Sequence, residues 1–176
     1  MPDAPTELVH YSVAGPGGEA VATLTLDSPH NRNALSRRLV TELFEGLERA
    51  AADPAVKVVL IASAGRVFCS GADLSEASTG GMEEGTRRIV ELQRLIVTLD
   101  KPVVTRLSGA VRAGGLGIVA ASDIVVAAED ATFALTEVKL GLAAAIISLT
   151  VHHRMTPRAA ALTTLGGEVF TGTQAA

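Results

Sequence analysis

The residues that could do chemistry in this sequence lie in two loops of small residues and at one isolated acidic position. The first loop, residues 67–74, follows an apolar run and reads Val-Phe-Cys-Ser-Gly-Ala-Asp-Leu. Gly71 permits backbone dihedral angles that other residues rarely adopt, and its small neighbours let a ligand approach the backbone. A free N–H group at the end of the strand could then face a ligand oxygen. An ordinary tight turn is the alternative interpretation of the same residues.

The second loop, residues 109–117, reads Gly-Ala-Val-Arg-Ala-Gly-Gly-Leu-Gly and leads from a predicted strand into a predicted helix. A helix N-terminus presents unpaired N–H groups and the positive end of the helix dipole. Small residues there would expose the amides to an anion or to a carbonyl oxygen. The spacing matches neither G-x-G-x-x-G nor G-K-[ST], which argues against a Rossmann or P-loop nucleotide site. A closely packed helix of small residues is the alternative.

Glu137 is the isolated acidic residue, and it lies between the apolar segments 133–135 and Val138. Desolvation disfavours the charged form of a carboxylate in such a setting, which suits the group to proton transfer. A solvated loop glutamate paired with Lys139 is the alternative interpretation.

The remaining candidate residues predict no further site. Cys69 has no evident histidine partner and is interpreted as a small hydrophobic residue. His152 and His153 are adjacent, so they cannot share one helix face, and no metal-ligand spacing joins them to other residues. We therefore expect neither a thiol nucleophile nor a metal site.

The elements that must position these loops alternate between strand and helix, which predicts an α/β core with largely parallel strands. Periodicity and turn residues predict strands over residues 7–13, 20–26, 56–62, 103–107 and 123–127, with a short extended piece over 133–138. Helices are predicted over residues 37–51, 83–99, 113–121, 143–153 and 157–165. Ser36 is the predicted N-cap of the first helix.

The composition excludes several classes of protein. The chain has 176 residues, of which 48% are hydrophobic and 19% charged, so it can bury the core of one domain. A net charge of −4, the lack of a basic run and 3% aromatic residues argue against nucleic-acid binding. No apolar run is long enough to span a bilayer. The single Cys69 and the lack of a secretory signal predict a cytoplasmic location.

Four patches of the sequence, taken together and in order, resemble the crotonase, or enoyl-CoA hydratase/isomerase, superfamily. They are residues 26–35, 68–74, 101–117 and 133–141. The resemblance covers nearly the whole chain. It implies a single crotonase core domain over residues 1–176, with an α/β fold of repeated ββα units wound into a spiral. Family chains continue beyond Ala176 with a strand and C-terminal helices, which are missing from this chain.

The resemblance also implies a chemistry. Crotonases bind acyl-CoA thioesters and stabilise a thioester enolate with two backbone N–H groups, which fall here on Ala72 and Gly114. The proton-transferring carboxylate falls on Glu137. Coenzyme A is expected as part of the substrate, with no separate cofactor, and the implied assembly is a homotrimer or hexamer. CoA-binding and substrate-binding positions carried over from the family are Arg32, Ala34, Ser70, Asp73 and Leu74.

One departure from the family pattern affects the predicted reaction. Hydratases of the best-known type use two glutamates, and the first of them falls here on Gly117. A single carboxylate suffices to move a proton along an enolate, as in enoyl-CoA isomerases. Residues 136–142 nevertheless resemble a bacterial branch that includes methylglutaconyl-CoA hydratase-like proteins, so we favour a hydratase that acts on 2-enoyl-CoA. An isomerase and a non-catalytic acyl-CoA-binding protein are the alternatives.

Overall fold

A computed structural model describes residues 7–16, 19–76 and 82–176, and their strands fall into two sheets. The strands are β1 Val9–Ala14, β2 Ala20–Leu26, β3 Val56–Ser63, β4 Val67–Cys69, β5 Val103–Leu107, β6 Ala110–Arg112, β7 Ile124–Ala127, β8 Thr132–Ala134 and β9 Phe170–Thr171. The α-helices are α1 Arg37–Ala52, α2 Leu74–Glu76, α3 Met82–Thr98, α4 Gly114–Ala121, α5 Ala145–Val151, α6 Pro157–Gly166 and α7 Gly172–Ala175. Single 3₁₀ turns span Pro29–Asn31, Glu137–Leu140 and His152–Arg154.

The order of the strands shows a repeated winding. One sheet has the order β1-β2-β3-β5-β7 and the other has the order β4-β6-β8-β9. β1 and β2 both lie in the five-stranded sheet, whereas the pairs β3 and β4, β5 and β6, and β7 and β8 each place one strand in each sheet. The helices α3 and α4 follow the second strand of their pairs. Pairing is parallel except between β1 and β2 and between β8 and β9. These ββα repeats confirm the predicted α/β spiral.

The core packs α1 against the five-stranded sheet, and α3 packs against α1, α4 and α5. Leu39, Leu43 and Leu47 of α1 are fully buried, as are Leu24 of β2 and Ile61 of β3. The apolar residues recur every three or four positions in α1, so one face of the helix covers the sheet.

Side chains fix both ends of α1. The hydroxyl of Ser36 accepts a hydrogen bond from Leu39 N at 3.3 Å, which confirms the predicted N-cap. Lys101 Nζ donates to the carbonyls of Ala50 and Asp53, both at 2.6 Å, at the other end. These contacts satisfy backbone groups that a helix leaves unpaired at its termini.

Two predicted elements and two predicted loops need correction. The extended piece predicted over 133–138 is the short strand β8 followed by a 3₁₀ turn that begins at Glu137. The helix predicted over 143–153 ends at Val151 and continues as a 3₁₀ turn. The strands β4 and β6 lie inside segments that the sequence suggested to be loops, because three residues are too few to show an alternating pattern. Within the described ranges, every helix is too short or too polar to cross a membrane.

Candidate active site

One cavity of about 630 Å³ brings together most of the residues singled out in the sequence. Its wall includes Ala72, Gly114 and Glu137, which belong to three different segments of the chain. Three of the expected CoA-binding residues also line it, namely Ser70, Asp73 and Leu74. Much of the remaining wall is aliphatic and comes from the segment before α1, from α1, α3 and α5, and from the segment before α5. These aliphatic residues are Leu35, Val40, Ile89, Leu140, Leu142, Ile146 and Ile147.

The backbone amides of Ala72 and Gly114 are neighbours at this wall. A Cβ atom added at Gly71 would lie 3.8 Å from Gly114 N, and one added at Gly114 would lie 3.9 Å from Ala72 N. Among the described residues, neither amide donates a hydrogen bond to a backbone or side-chain acceptor. Two unpaired donors therefore stand side by side at one cavity.

The turn that carries Ala72 is held by the neighbouring loop and by its own glycine. Gly71 has φ +101°, in the region that favours glycine. Leu35 N donates to the carbonyl of Gly71 at 2.8 Å, and Leu35 pairs with Ala72 in an isolated parallel bridge. That bridge fixes the turn while leaving the Ala72 amide without an acceptor.

The Gly114 amide belongs to the first residue of α4, directly after a strained position. Ala113 has φ 46° and ψ −123°, a conformation that residues with a side chain rarely adopt. Its N–H donates to Ala134 O at 3.0 Å, and its carbonyl accepts from Leu116 N at 2.9 Å. These bonds hold the strain in place, so that the positive end of the α4 dipole faces the cavity.

Cys69 packs between the two turns. Its Sγ atom accepts a hydrogen bond from Gly71 N at 3.4 Å, and a Cβ atom at Gly115 would lie 2.7 Å from Cys69 Cβ. Burial raises the pKa of the thiol to about 12, while the bond from Gly71 works in the opposite direction. A thiol with that pKa stays neutral at physiological pH, so Cys69 acts as packing material between the turns, as the sequence suggested.

Glu137 begins the 3₁₀ turn on another side of the same cavity. The residue is half-buried, and its Oε2 atom is buried with no hydrogen-bond partner among the described residues. Desolvation raises the pKa of this carboxyl, and a hydrogen bond from its own backbone N–H partly offsets that effect. Lys139 is exposed and makes no ion pair with it within the described part of the chain. The alternative of a solvated Glu137–Lys139 pair is therefore not what the structure shows.

The loop 27–36 is tied to the Ala72 turn by polar side chains. Asn33 is buried and has φ 55°; its Oδ1 accepts from Ser28 N at 2.6 Å and its Nδ2 donates to Val67 O at 2.9 Å. The Ser70 hydroxyl donates to Asn31 O at 3.0 Å, and Asp73 accepts from Asn31 Nδ2 at 3.1 Å.

The polar groups of two expected CoA-binding residues are thus already engaged within the protein. Asp73 also accepts from the hydroxyl and the N–H of Ser75, and the hydroxyl bond is the main reason that the pKa of its carboxyl is lowered. Arg32 is exposed and Ala34 is buried, and neither lines the cavity. The cavity thus brings together Ser70, Asp73 and Leu74 but not these two.

Gly117 lies on the buried side of α4 and does not line the cavity. A Cβ atom at this position would lie 2.7 Å from Ile147 Cγ2 and 3.0 Å from Gln93 Oε1. Gln93 is not among the residues predicted from the sequence to shape the site. The available signal was a polar residue within the apolar stripe of α3, four positions after Ile89.

No group of three His, Cys, Asp or Glu side chains that could hold a metal occurs in the described ranges.

Comparison with known proteins gives one consistent family. The family model described as enoyl-CoA hydratase/isomerase matches residues 17–176. A crystal structure of an enoyl-CoA hydratase from Mycobacterium avium is 48% identical with a TM-score of 0.85, and the match covers 97% of this chain and 67% of that chain. Another, from Mycobacterium smegmatis, is 31% identical with a TM-score of 0.88, and the match covers 96% of this chain and 66% of that one.

A curated protein of Bacillus subtilis strain 168, named "Probable enoyl-CoA hydratase", is 35% identical over 160 residues, which is 88% of this chain and 62% of that protein. The enoyl-CoA hydratase domain-containing protein 3 of Danio rerio is 36% identical over 126 residues, covering 69% of this chain and 44% of that protein. The chain thus spans about half of the length of the curated relatives that it matches.

Proposed function

The chain belongs to the enoyl-CoA hydratase/isomerase family, and from that premise we propose that it binds acyl-CoA thioesters and stabilises a thioester enolate. The observation that carries this proposal is the single cavity shared by Ala72, Gly114 and Glu137. Two unpaired amides can hold an oxygen that gains negative charge, and a carboxylate beside them can move the proton that creates this charge.

The two amides supply the electrostatic part of the proposed chemistry. Removal of a proton beside the thioester carbonyl places negative charge on the carbonyl oxygen. The Ala72 and Gly114 N–H groups would donate to that oxygen at the positive end of α4. One such donor is typically worth about 2.7–4 kcal/mol of transition-state stabilisation. No side chain needs to reorganise, because both donors belong to the backbone.

Glu137 supplies the proton transfer. Desolvation raises the pKa of its carboxyl above that of an ordinary glutamate, which makes the carboxylate a stronger base for taking up a proton. Within the described ranges its buried Oε2 atom has no hydrogen-bond partner, so no protein group there competes with a substrate or a water molecule for the carboxylate. The aliphatic part of the cavity wall would hold the acyl chain next to it.

The overall reaction that we propose is hydration of a 2-enoyl-CoA. Glu137 takes a proton from water as the water oxygen adds to C3, the enolate forms under the two amides, and the proton then goes to C2. The names of the related hydratases support this reaction. Isomerisation is the second candidate, in which Glu137 moves a proton between C2 and C4. Gly117 favours isomerisation, because this residue has no side chain and α4 therefore offers no second carboxylate to hold a water.

Absorbance of the conjugated thioester separates these reactions. Hydration consumes the absorbance of an added 2-enoyl-CoA, whereas isomerisation creates that absorbance from an added 3-enoyl-CoA. Binding of both thioesters without any change in absorbance would instead support a non-catalytic acyl-CoA-binding protein. Failure to bind any acyl-CoA would contradict the proposed function itself.

We also propose a homotrimer, or a pair of trimers, for the full-length protein. Large apolar side chains are exposed on α5 and α6, among them Leu149, Leu162 and Leu165. Exposed apolar patches favour association because burying them is worth about 25 cal/mol per Å². Light scattering of the purified protein measures the assembly, and a stable monomer would contradict the proposal.

A further inference from the structure

The amide of Gln93 joins the helices α3 and α5 behind the acyl side of the cavity. Gln93 is 4% exposed on α3. Its Nε2 atom donates to Ile89 O on its own helix and to Ile146 O on α5, both at 3.2 Å. Its Oε1 atom accepts from the Thr150 hydroxyl, also on α5, at 2.7 Å. A buried polar side chain with this many partners has one well-defined position.

That position fills the space beside Gly117 on α4. Gln93 Oε1 and Cδ both lie 3.0 Å from where a Cβ atom of residue 117 would be, and Ile147 Cγ2 lies 2.7 Å from it. A side chain at 117 would therefore force Ile147 to move and would press against the Gln93 amide, which is held by its hydrogen bonds. The Gln93 amide therefore occupies the space into which a side chain at position 117 of α4 would extend.

The same bonds hold the part of α5 that lines the cavity. Ile146 and Ile147 both line it, and so does Ile89 of α3. Gln93 donates to the backbone of Ile146, and its partner Thr150 lies one helical turn further along α5. Gln93 itself does not line the cavity, so any effect on a ligand must pass through these isoleucines.

We infer that Gln93 is a positioning residue that sets the acyl-chain selectivity of the cavity and keeps position 117 free of any side chain. The inference rests on the proposed function, because it concerns the acyl group of a CoA thioester. Beyond that function, a hydrogen-bonded bridge between α3 and α5 determines which acyl chains the cavity prefers.

Acyl-CoA binding to the full-length protein tests the selectivity role without requiring turnover. We would measure dissociation constants for butyryl-CoA, decanoyl-CoA and free CoA by calorimetry, in the unaltered protein and in Gln93→Met. Methionine keeps the length of the side chain and removes all its amide bonds. We expect the ratio of the two acyl-CoA constants to change at least about fivefold, the size of effect that losing a buried hydrogen bond produces. The constant for free CoA stays the same.

Thr150 provides the matched pair of variants. Thr150→Val removes the hydroxyl that donates to Gln93 and is expected to shift the ratio in the same direction as Gln93→Met. Thr150→Ser keeps the hydroxyl and restores the ratio of the unaltered protein. Thr98→Val serves as the control, because the Thr98 hydroxyl also bonds a carbonyl of α3 but lies on its exposed side. This control leaves the ratio unchanged.

Thermal unfolding tests the space at position 117 independently of any ligand. Gly117→Ala is expected to lower the Tm strongly in the unaltered protein and distinctly less in a Gln93→Ala background, because the contacts with the amide are gone. Equal losses in both backgrounds would overturn the exclusion of a side chain by Gln93.

The outcomes separate the two proposals. Unaltered acyl-CoA ratios in both Gln93→Met and Thr150→Val, with acyl-CoA still bound, would overturn the role of Gln93 and leave the proposed function standing. No binding of either acyl-CoA by the unaltered protein would overturn the proposed function, and the selectivity role with it.

Discussion

The two sides of the cavity are built in different ways. On the amide side, Phe68 and Cys69 of β4 are fully buried, and added Cβ atoms at Gly114 and Gly115 would approach their neighbours to 2.9 and 2.7 Å. On the carboxylate side, Glu137 begins a single 3₁₀ turn, and a Cβ atom at Gly141 would meet nothing within 4 Å. Leu140 and Leu142 next to it are 59% and 50% exposed.

Close packing therefore positions the two amides, whereas it leaves the Glu137 carboxylate adjustable. The amides occupy fixed positions because the strands, the glycines and Cys69 pack closely around them. Glu137 depends on one turn and a few backbone bonds, including Leu142 N to Glu137 O at 3.0 Å. Substitutions on the amide side should therefore disturb packing and chemistry together, whereas substitutions of the carboxylate should disturb chemistry alone.

The largest effect is expected from Gly114→Ala. The new Cβ atom would lie 2.9 Å from Leu35 Cδ1 and 3.9 Å from Ala72 N. The N–H of residue 114 is kept, but the close contact should displace it from the carbonyl oxygen. We expect turnover to fall by up to about 10²–10³-fold, the size of effect that an oxyanion donor contributes. Steady-state kinetics measures the loss. Gly65→Ala is the control, because a Cβ there meets nothing within 4 Å, and an equal loss in that variant would contradict the geometric reason.

Glu137→Gln is expected to have the next largest effect. Glutamine keeps the shape of the side chain and removes the base, so turnover should fall by about 10²-fold or more. Binding of acyl-CoA should survive, and so should the fold. Kinetics together with calorimetry checks both parts, with the exposed Glu129→Gln as control. Turnover that persists in Glu137→Gln would reject this residue as the proton-transferring group.

The pH dependence sharpens the same contrast. Desolvation raises the pKa of Glu137, so activity that needs the carboxylate should rise with pH through a value above that of an ordinary glutamate. Stability has the opposite sign. The native state holds this proton more tightly than the unfolded state, so the contribution is present below the ordinary glutamate pKa and is lost as pH rises through the raised pKa.

Profiles of kcat/KM and of Tm against pH measure these two effects. In the Glu137→Gln protein, the residual activity should no longer rise with pH in the acidic range. Its Tm should also lack the decline that accompanies ionisation of Glu137 as the pH rises. An activity limb at the pKa of an ordinary exposed glutamate would show that the cavity does not desolvate the carboxyl.

The smallest effect is expected from Asn33→Ala, which loosens the support of the amide side. The variant leaves Ser28 N and Val67 O without the partners that Asn33 gives them. We expect the free energy of unfolding to fall by about 1–3 kcal/mol. Denaturant unfolding measures it, and Asn33→Asp should recover only part of the loss because it keeps an acceptor and removes the donor. No loss in the alanine variant would mean that the loop does not depend on this amide.

Much of the fold could be predicted from local patterns. The apolar stripe of α1 and the long apolar run of β3 fixed those elements to within one residue, because their periodicity reflects which face is buried. Glu137 is predicted from its apolar surroundings and by resemblance, Ala72 and Gly114 are assigned their roles by resemblance, and the structure places all three at one cavity. That placement depends on tertiary winding, which no local pattern contains.

The features that sequence reasoning missed depend on contacts between distant segments. β4 and β6 are three residues long and exist because they pair with each other. The strained backbone of Ala113 is held by Ala134, and Gln93 is a buried polar residue only because Thr150 and Ile146 satisfy it. In each case the partner lies 20 or more positions away.

Exchange of the protons next to the thioester carbonyl tests the central claim most directly. A saturated acyl-CoA such as butyryl-CoA cannot be hydrated or isomerised, so any exchange of its C2 protons with D₂O reports the enolate alone. The structure predicts exchange, followed by NMR, that is catalysed by the unaltered protein and lost in Glu137→Gln while butyryl-CoA still binds. Bound butyryl-CoA that shows no catalysed exchange, or exchange that continues unchanged in Glu137→Gln, would contradict the assignment of these amides and this carboxylate to one active site.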